Sequence, residues 1–481
     1  MRIAVTTFFQ SQTNYGQLLQ AYALQQVLMQ MGHYPFIIRY GFHEPLRPVL
    51  GIEYPQVSMD KLQCNTHIEA KTGDKDDRHF NDFRYHHLNL SANAYNTLEE
   101  IQCHPPIADC YMTGSDQVWA QLLNRPDNGT FYLDFGYDDT LRVAYAPSFS
   151  LDAYPKEINS LLQSNLKRFD ALSVREKTGV EICRNVGYEA KWVLDPTMLL
   201  DGDYYRQLAK ESQSPLPSNY MLIYHVNIKR GDLPCWDAVN SYNKAYNLKA
   251  VAVHANGEDQ PDVEFIDEAD YCYPCIQDWI RLIDNSQYVL TSSFHGMVFS
   301  VLLHKPFLIS LRPDSMFAGN DRVFTILSAL GLEERLATSE VDVAHVLSKP
   351  IDWKEVDYRI DLLRKESYDY LKGSLILKSN KVNAQERETW IIRNTLLQTN
   401  KLLVQNNNLQ EELKLSSELK QQLMDLSELK QQLMDMHCKF EAMKQEAERM
   451  SRKNKKHLMQ IRLMGVVFAI ILLSFVIFAL I

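Results

Sequence analysis

His295 lies in the stretch of the chain whose residue types are best suited to chemistry. That stretch, Tyr288–Leu311, has the sequence YVLTSSFHGMVFSVLLHKPFLISL, which predicts a buried strand, a turn with Ser293 and His295, an apolar helix and a second buried strand. Ligands of parallel sheets bind beyond the carboxyl ends of the strands, where the following helix presents free backbone N–H groups. An imidazole at such a helix start suits phosphate or carboxylate chemistry. A histidine that only packs in the turn would give the same pattern.

Asp116 is the second residue for which the pattern indicates a chemical role. It follows a short predicted strand, Asp109–Thr113, and the residues Gly114 and Ser115, which allow a tight turn and a close backbone approach. A carboxylate at a strand end can accept a proton from a substrate hydroxyl group. The alternative is an aspartate that only caps the turn.

Asn14 and Gln17 lie at the start of the first predicted helix, inside a βαβ unit. That unit consists of a strand at Arg2–Phe9, a helix at Tyr15–Met31 and a strand at Tyr34–Tyr40. The loop before the helix is where a Rossmann-like fold places its ligand, but it contains neither a GxGxxG motif nor a Walker lysine motif. A helix N-cap alone would also account for Asn14.

Alternating strands and helices continue along the chain and predict an α/β fold with two doubly wound domains. A further strand is predicted at Leu141–Tyr145, and a Pro-rich boundary then precedes a second series that starts with Tyr220–Val226. We expect a first Rossmann-like domain at residues 1–205 and a second at 206–345. Residues Gly41–Leu98 are polar and poorly periodic, which predicts loop and irregular helix.

Composition and charge restrict the possible classes of protein. The formal net charge of −10 argues against a general nucleic-acid binder. The eight cysteines are scattered, and the one CxxC pair, Cys272 and Cys275, is weak evidence for zinc, so no metal site is predicted. Met1 and Arg2 lead directly into a strand, without the apolar segment of a signal peptide. The α/β domains are therefore expected in the cytoplasm, with reduced thiols.

The chain changes character after the second domain. A helical linker is predicted at 346–385 and a coiled coil at 386–460, where Leu, Gln, Glu and Lys dominate. The nonapeptide SELKQQLMD occurs at Ser417–Asp425 and again at Ser427–Asp435, and its leucines follow an a/d seam. A narrow and sustained seam favours a homo-oligomer, while a long amphipathic helix lying on its own α/β domains is the alternative.

Residues 463–481 form a final segment of nineteen uncharged and almost entirely apolar residues, close to the ~20 that an α-helix needs to cross a bilayer. They follow a basic cluster that includes Arg449, Lys453 and Arg462, which places the preceding residues on the cytoplasmic side. We therefore expect a single-pass C-terminal anchor in the cell inner (cytoplasmic) membrane.

Six separated motifs agree with one another across about residues 1–345. They are NYGQLLQAYALQ (Asn14–Gln25), GSDQVW (Gly114–Trp119), SVREKTG (Ser173–Gly179), LDPTMLL (Leu194–Leu200), TSSFHGMVFSVLLHKPF (Thr291–Phe307) and DRV…LGLEERL (Asp321–Leu336). Together they resemble the polysaccharide pyruvyl transferase family. The resemblance implies a GT-B-like fold, in which two Rossmann-like domains face a cleft. It also implies transfer of a pyruvyl group from phosphoenolpyruvate, without a further cofactor, to a sugar hydroxyl with release of phosphate.

The resemblance also implies roles for the candidate residues. His295 would deliver a proton or contact phosphate, Asp116 would act as the base, and Asn14 and Gln17 would orient the acceptor. Family members often carry an arginine just before the histidine, where this chain has Ser292-Ser293-Phe294. The candidate substrate-binding residues are therefore two serines and four cations that could replace that arginine: Ser115, Ser293, Arg175, Arg230, Lys305 and Arg322.

Three functions are compatible with these patterns. The first is a membrane-anchored pyruvyl transferase that modifies a cell-surface polysaccharide or its lipid-linked precursor at the cytoplasmic membrane face. The second is a GT-B-type nucleotide-sugar glycosyltransferase, because the same cleft suits both donors. The third is a non-catalytic membrane scaffold that acts through its coiled coil, which the missing arginine favours.

Overall fold

The computed structural model describes most of the first 377 residues. The described ranges are 1–41, 78–120, 128–137, 140–151, 156–226, 235–255, 269–311, 320–337 and 342–377, with isolated positions after residue 431. The chain divides into one compact unit at Met1–Ile391 and a second at Ile392–Ile481. The first unit contains two α/β halves, each built on its own parallel sheet.

The first half contains a seven-stranded sheet in the order β3-β2-β1-β4-β5-β6-β7, in which every pair is parallel. Its strands are β1 Arg2–Thr6, β2 Tyr34–Tyr40, β3 Leu90–Tyr95, β4 Cys110–Thr113, β5 Leu141–Ala144, β6 Ala171–Val174 and β7 Lys191–Trp192. Its helices are α1 Tyr15–Gln30, α2 Phe80–His87, α3 Leu98–Cys103, α4 Asn128–Phe131, α5 Asn159–Leu166, α6 Lys177–Asn185 and α7 Gly202–Ala209. The strand order reverses between β1 and β4, which is the topological switch point where such sheets bind ligands.

The second half repeats the plan with six parallel strands in the order β10-β9-β8-β11-β12-β13. Its strands are β8 Tyr220–Val226, β9 Lys249–Ala255, β10 Asp270–Tyr271, β11 Tyr288–Thr291, β12 Phe307–Ser310 and β13 Leu336–Ala337. Its helices are α8 Trp236–Ala245, α9 Ile276–Asn285, α10 Phe294–Leu302, α11 Asp321–Leu330, α12 Val343–Ser348 and α13 Trp353–Leu375. The switch point of this sheet lies between β8 and β11.

The central strands are buried along their whole length because helices cover both faces of each sheet. Every residue of β1, β4, β8 and β11 is buried, as expected for parallel strands with continuous apolar runs. One apolar core continues from α1 into the second half, where Tyr15 stacks on Trp279 with ring centroids 5.1 Å apart. The two halves therefore share a packed interface beside the switch points.

The long helix α13 follows the second half and packs back onto the first. Ser367 accepts a hydrogen bond from the Leu194 backbone N–H at 3.0 Å, and the Tyr370 hydroxyl donates to the Ala144 carbonyl at 3.0 Å. Arg364 donates to the Met198 carbonyl at 3.0 Å. The helical part of the predicted linker at 346–385 is thus an integral part of the α/β unit.

The region Gly41–Leu98 differs from the sequence-based expectation of loop and irregular helix. Its described residues include the helix α2 and the edge strand β3, Leu90–Tyr95, which pairs in parallel with β2. The sequence LSANAY lacks the apolar run of a central strand because an edge strand has fewer covering neighbours. Residues 42–77 lie outside the described part of the chain.

The predicted tail lies largely outside the described residues. Within the predicted coiled coil at 386–460, helical positions are described at 434–436 and 441–444, and within the predicted anchor at 463–481 only Gly465 is described. Among the residues that the structure does describe, no helix combines the length and the apolar character needed to cross a bilayer.

Candidate active site

His295 is held at the carboxyl edge of the second sheet by the turn between β11 and α10. The Ser293 N–H donates to Thr291 Oγ1 at 3.0 Å, and Ser293 Oγ accepts from the Gly296 N–H at 3.3 Å, which makes Ser293 the N-cap of α10. Helix α10 therefore begins at Phe294, and His295 occupies its second position with only 6% of its surface exposed. The positive end of the helix dipole lies at this position.

Asp195, which belongs to the first half, contacts His295 of the second half. The Asp195 carboxylate is completely buried, and its Oδ2 lies 3.6 Å from His295 Nε2. The same oxygen accepts from Arg175 Nη1 and from Ser115 Oγ, both at 2.9 Å. The other oxygen, Oδ1, accepts from the Thr197 N–H at 3.0 Å and from its hydroxyl at 2.7 Å. One carboxylate thus connects the ends of three segments that are distant in sequence.

Arg175 is the charged centre of the first half of the site. It follows β6 and is 1% exposed, and besides Asp195 it contacts Asp116, with Nη2 3.5 Å from Oδ1. Its guanidinium carbon lies 4.8 Å from the centre of the Phe294 ring, which places it directly beside the start of α10. The cation thus connects two aspartates of the first half to an aromatic face of the second.

Neighbouring charges shift the pKa values of Asp195 and Arg175. Burial alone would raise the pKa of Asp195, but His295, Arg175 and the hydrogen bonds from Thr197 together hold it well below its usual range. Burial opposes the charge on Arg175, yet the carboxylates of Asp195 and Asp116 raise the pKa of Arg175. Asp195 is therefore ionised at any physiological pH.

Asp116 lies where the sequence predicts, after β4 in a turn that requires a glycine at position 114. Gly114 has φ +107°, and a Cβ there would lie 2.1 Å from the Tyr145 carbonyl oxygen. Asp116 itself has φ +73°, an uncommon conformation that turns its side chain toward Arg175. Its neighbour Ser115 is buried, and the Ser115 N–H donates to Gln20 Oε1 at 3.1 Å. Gln20 on α1 thereby holds this turn in place.

The start of α1 contributes the residues Asn14, Gly16 and Gln17. Asn14 is the N-cap of α1 and accepts from the Gln17 N–H at 3.3 Å. Its capping role alone therefore accounts for its position. The Gln17 side chain accepts from the Ser11 N–H at 2.7 Å, which orders the loop after β1. Gly16 lies against His295: a Cβ on Gly16 would be 2.1 Å from His295 Nδ1.

Arg322 is the second cation at the site. It lies in the first turn of α11 with 6% exposure, and its guanidinium carbon is 5.9 Å from the centre of the Phe294 ring. With its amide oxygen turned toward Arg322, Gln117 accepts hydrogen bonds from Nη2, at 3.1 Å, and from Nη1. Glu176 is also near, and burial raises the pKa of this carboxyl although Arg175 and Arg322 lower it. Arg175 and Arg322 therefore both lie beside the ring that precedes His295.

Lys305, one of the predicted cations, is not brought to this site. Lys305 lies in the turn before β12, at the opposite edge of the sheet from His295, and near Asp284 and Arg206. Burial lowers the pKa of Lys305. Arg230 lies outside the described residues. Within the part of the chain that the structure describes, no group of three His, Cys, Asp or Glu side chains is arranged to hold a metal ion.

Sequence reasoning did not select four residues that organise the site: Gly16, Gln20, Glu176 and Asp195. A signal existed for Asp195, because an Asp-Pro-Thr sequence is typical of an aspartate that accepts from the following backbone. No comparable signal existed for Gly16, whose importance depends on the approach of α1 to α10.

Two parallel Rossmann-like sheets, with charged side chains converging from the carboxyl edges of their strands, define an α/β enzyme with GT-B-like architecture. Family comparison then gives the particular group: the chain belongs to the polysaccharide pyruvyl transferase family, whose sequence model matches residues 14–315. It is accordingly a transferase. A search of proteins with curated descriptions gave no match.

Solved structures with a similar fold are distant in sequence. They include the UDP-N-acetylglucosamine 2-epimerase of Rickettsia bellii, with 10% identity, TM-score 0.43 and coverage of 78% of this chain and 97% of that one. The enzyme of that name from Methanocaldococcus jannaschii has 11% identity, TM-score 0.42 and coverage of 76% and 100%. A glycosyltransferase of kitacinnamycin has 9% identity, TM-score 0.40 and coverage of 78% and 99%.

Proposed function

We propose that the protein transfers a pyruvyl group from phosphoenolpyruvate to a sugar hydroxyl of a cell-surface polysaccharide or of its lipid-linked precursor. The observation that carries the proposal is the convergence of His295, Arg175 and Arg322 around Phe294, with the two guanidinium carbons 4.8 and 5.9 Å from the ring centre. These cations support the donor assignment despite the serines that precede His295. Phosphoenolpyruvate carries a phosphate and a carboxylate, for which arginine forks and a helix start are suitable partners.

The two arginines are not equivalent in this proposal. Arg175 is already paired with Asp195 and Asp116, so its charge is largely balanced within the protein. The Arg322 guanidinium lies against the uncharged amide of Gln117. We assign contacts with the donor anion to both arginines, and Arg175 also holds Asp195 in its ionised form.

The reaction requires a proton donor and a proton acceptor on different parts of the substrates. His295 protonates the terminal methylene carbon of the donor, which becomes a methyl group. A sugar oxygen forms a bond to the central carbon while Asp116 accepts its proton, and the bond from that carbon to the phosphate oxygen then breaks. A second sugar hydroxyl then adds to the same carbon and completes a ketal. Its proton restores His295, while the proton on Asp116 passes to the departing inorganic phosphate.

The experiment that tests the donor uses the full chain in detergent. Phosphoenolpyruvate at 100 times its dissociation constant should raise the free energy of unfolding by ~2.7 kcal/mol, and an acceptor glycan should give phosphate release. His295→Asn should abolish phosphate release, whereas His345→Ala, an exposed histidine of α12, should not. Arg322→Gln should remove most of the thermal stabilisation, and Arg184→Gln on the surface of α6 is its matched control.

Three results would decide against this function. Full turnover by His295→Asn would remove its catalytic role. Stabilisation by a nucleotide sugar but not by phosphoenolpyruvate would favour a glycosyltransferase. No response to either donor, together with loss of function on substitution of the tail leucines alone, would favour a scaffold.

We further propose that the enzyme works at the cytoplasmic membrane face as a homo-oligomer. Support comes from the sequence: an uncharged apolar segment at 463–481, a basic cluster before it and the repeated seam at Ser417–Asp435. An anchored enzyme would meet lipid-linked acceptors in two dimensions.

A further inference from the structure

We propose that Asp195 is a positioning residue for His295, whose carboxylate fixes the Nε2 side of the imidazole and favours its proton-donating form. The catalytic consequence rests on the proposed function of His295, but the geometric claim does not. Asp195 belongs to the first half and His295 to the second, so this contact completes the site only where the halves meet.

The two oxygens of Asp195 have different environments. Oδ1 is held by the N–H and the hydroxyl of Thr197, two residues along the same chain. Oδ2 faces the site and contacts Arg175, Ser115 and His295. The Thr197 bonds are sufficient to shape the local turn, which leaves Oδ2 to act on side chains from distant elements.

His295 Nε2 needs a partner on this side. The atom is buried and makes no hydrogen bond within the described residues, and Asp195 Oδ2 lies 3.6 Å from it. This distance exceeds that of a good hydrogen bond, but catalytic contacts are often long without substrate and shorten in its presence. A shift of about half an ångström would bring the pair into hydrogen-bond range.

Several other charged groups lie in the same site as His295. They are Arg175 after β6, Glu176 beside it, Asp116 after β4 and Arg322 at the start of α11. The contact from α1 is Gly16, which carries no charge. Arginines disfavour a protonated imidazole, and within the described residues Asp195 supplies the direct carboxylate contact that opposes them.

The test compares Asp195→Asn with Thr197→Val in the full chain. The first removes the charge at Oδ2 with little change of shape, and the second removes only a hydrogen bond at Oδ1. The readout is hydrogen–deuterium exchange at the histidine C2 position, measured by mass spectrometry across pH after a digestion that separates His295 from His304. We expect the pH midpoint at His295 to fall by about one unit or more in D195N, and to stay unchanged in T197V.

An unchanged midpoint in D195N would overturn the proposal. If D195N does not fold, Asp195→Ser, which is smaller and also uncharged, replaces it with the same expectation. A loss of stability in both variants, with no difference between their midpoints, would assign Asp195 a structural role only and also overturn it.

Activity provides the second readout and separates this inference from the proposed function. In D195N, kcat for phosphate release should fall by about 10²-fold, and the loss of activity on the alkaline side should occur at a lower pH than in the wild type. T197V should keep the wild-type pH profile. An exchange shift without turnover of phosphoenolpyruvate would reject the donor and retain the role of Asp195. Turnover of phosphoenolpyruvate with no exchange shift would retain the donor and reject the role of Asp195.

Discussion

Gly16 is the residue at which a single added carbon would disturb the site most directly. A Cβ there would lie 2.1 Å from His295 Nδ1 and 2.6 Å from His295 Cβ. Because these distances are far inside van der Waals contact, the imidazole or the start of α1 would have to move. In Gly16→Ala we therefore expect kcat to fall by about 10²-fold, as a misplacement near 1 Å commonly causes.

Gly373 provides the matched control for that substitution. It lies in α13, and a Cβ there meets no atom within 4 Å. Gly373→Ala should leave kcat unchanged and raise the free energy of unfolding by roughly 0.5–1 kcal/mol, because alanine favours a helix. Equal kcat values for wild type and Gly16→Ala would show that His295 tolerates displacement or is not required.

His225 gives the stability of the protein a predictable dependence on pH. It is buried in β8, and burial lowers its pKa to about 3. In the unfolded chain a histidine binds its proton below about pH 6.5, so the unfolded state takes up more protons than the folded state as the pH falls. The stabilisation associated with neutral His225 is thus complete above pH 6.5 and decreases as the pH falls toward 3.

Urea unfolding between pH 7 and 4 measures this dependence. His225→Gln should show a shallower decrease in the free energy of unfolding over that interval than the wild type does. His345→Gln, a substitution of an exposed histidine, serves as the control and should retain the wild-type slope. Parallel curves for wild type and His225→Gln would contradict the prediction.

At the scale of elements, helix α13 supports the turn that carries Asp195. Ser367 Oγ accepts from the buried Leu194 N–H at 3.0 Å and donates to the Leu363 carbonyl at 2.8 Å. Ser367→Ala leaves that N–H without this partner, which should lower the free energy of unfolding by ~1–3 kcal/mol. We also expect kcat to fall more than KM rises, since the turn positions Asp195.

Ser348→Ala is the control for this element. The Ser348 hydroxyl is exposed and bonds only within α12, to the His345 carbonyl at 2.9 Å. Its removal should change neither the urea midpoint nor kcat measurably. A Ser367→Ala variant with wild-type stability would mean that the turn at Asp195 is held without α13.

Elements with strong patterns were predictable from the sequence. The bounds of β2 and β8 agree with the predicted Tyr34–Tyr40 and Tyr220–Val226, because buried apolar runs mark these strands locally. The edge strand β3 was missed, since an element exposed at the sheet margin needs no apolar run. Local patterning therefore identified the sheets better at their centres than at their margins.

The candidate site was predictable only in part for a similar reason. His295 and Asp116 follow strands, so their strand-end positions could be inferred from local sequence. The pairing of His295 with Asp195 joins residues 100 positions apart and depends on how the two halves pack. The same is true of Gly16, which looks like an ordinary helix residue until α10 is placed beside it.

At the scale of the whole molecule, the C-terminal segment offers a separate prediction. Deletion of residues 463–481 should move the protein from the membrane fraction to the soluble fraction, because those residues carry the apolar length needed for anchoring. Replacement by an unrelated stretch of nineteen leucine and alanine residues should restore membrane association. Membrane retention after the deletion would locate the anchor elsewhere in the chain.

Contacts between the two halves occur at several points beside the site. Tyr15 stacks on Trp279, and the Thr178 hydroxyl donates to Asp321 Oδ2 at 2.7 Å. With the pair of Asp195 and His295, these contacts connect α1, α6 and the turn after β7 to the second sheet. In the described arrangement, both halves therefore contribute side chains to the same candidate site.

In the proposed mechanism the acid and the base come from opposite halves, which has a consequence for fidelity. Asp116 is carried by the first half and His295 by the second, with Asp195 between them. If the halves separated by a few ångströms, the imidazole would lose its carboxylate and would no longer face the base. Under the proposed function, water entering such a gap would meet a donor that cannot be protonated efficiently, so that the activated compound would be conserved until an acceptor is enclosed.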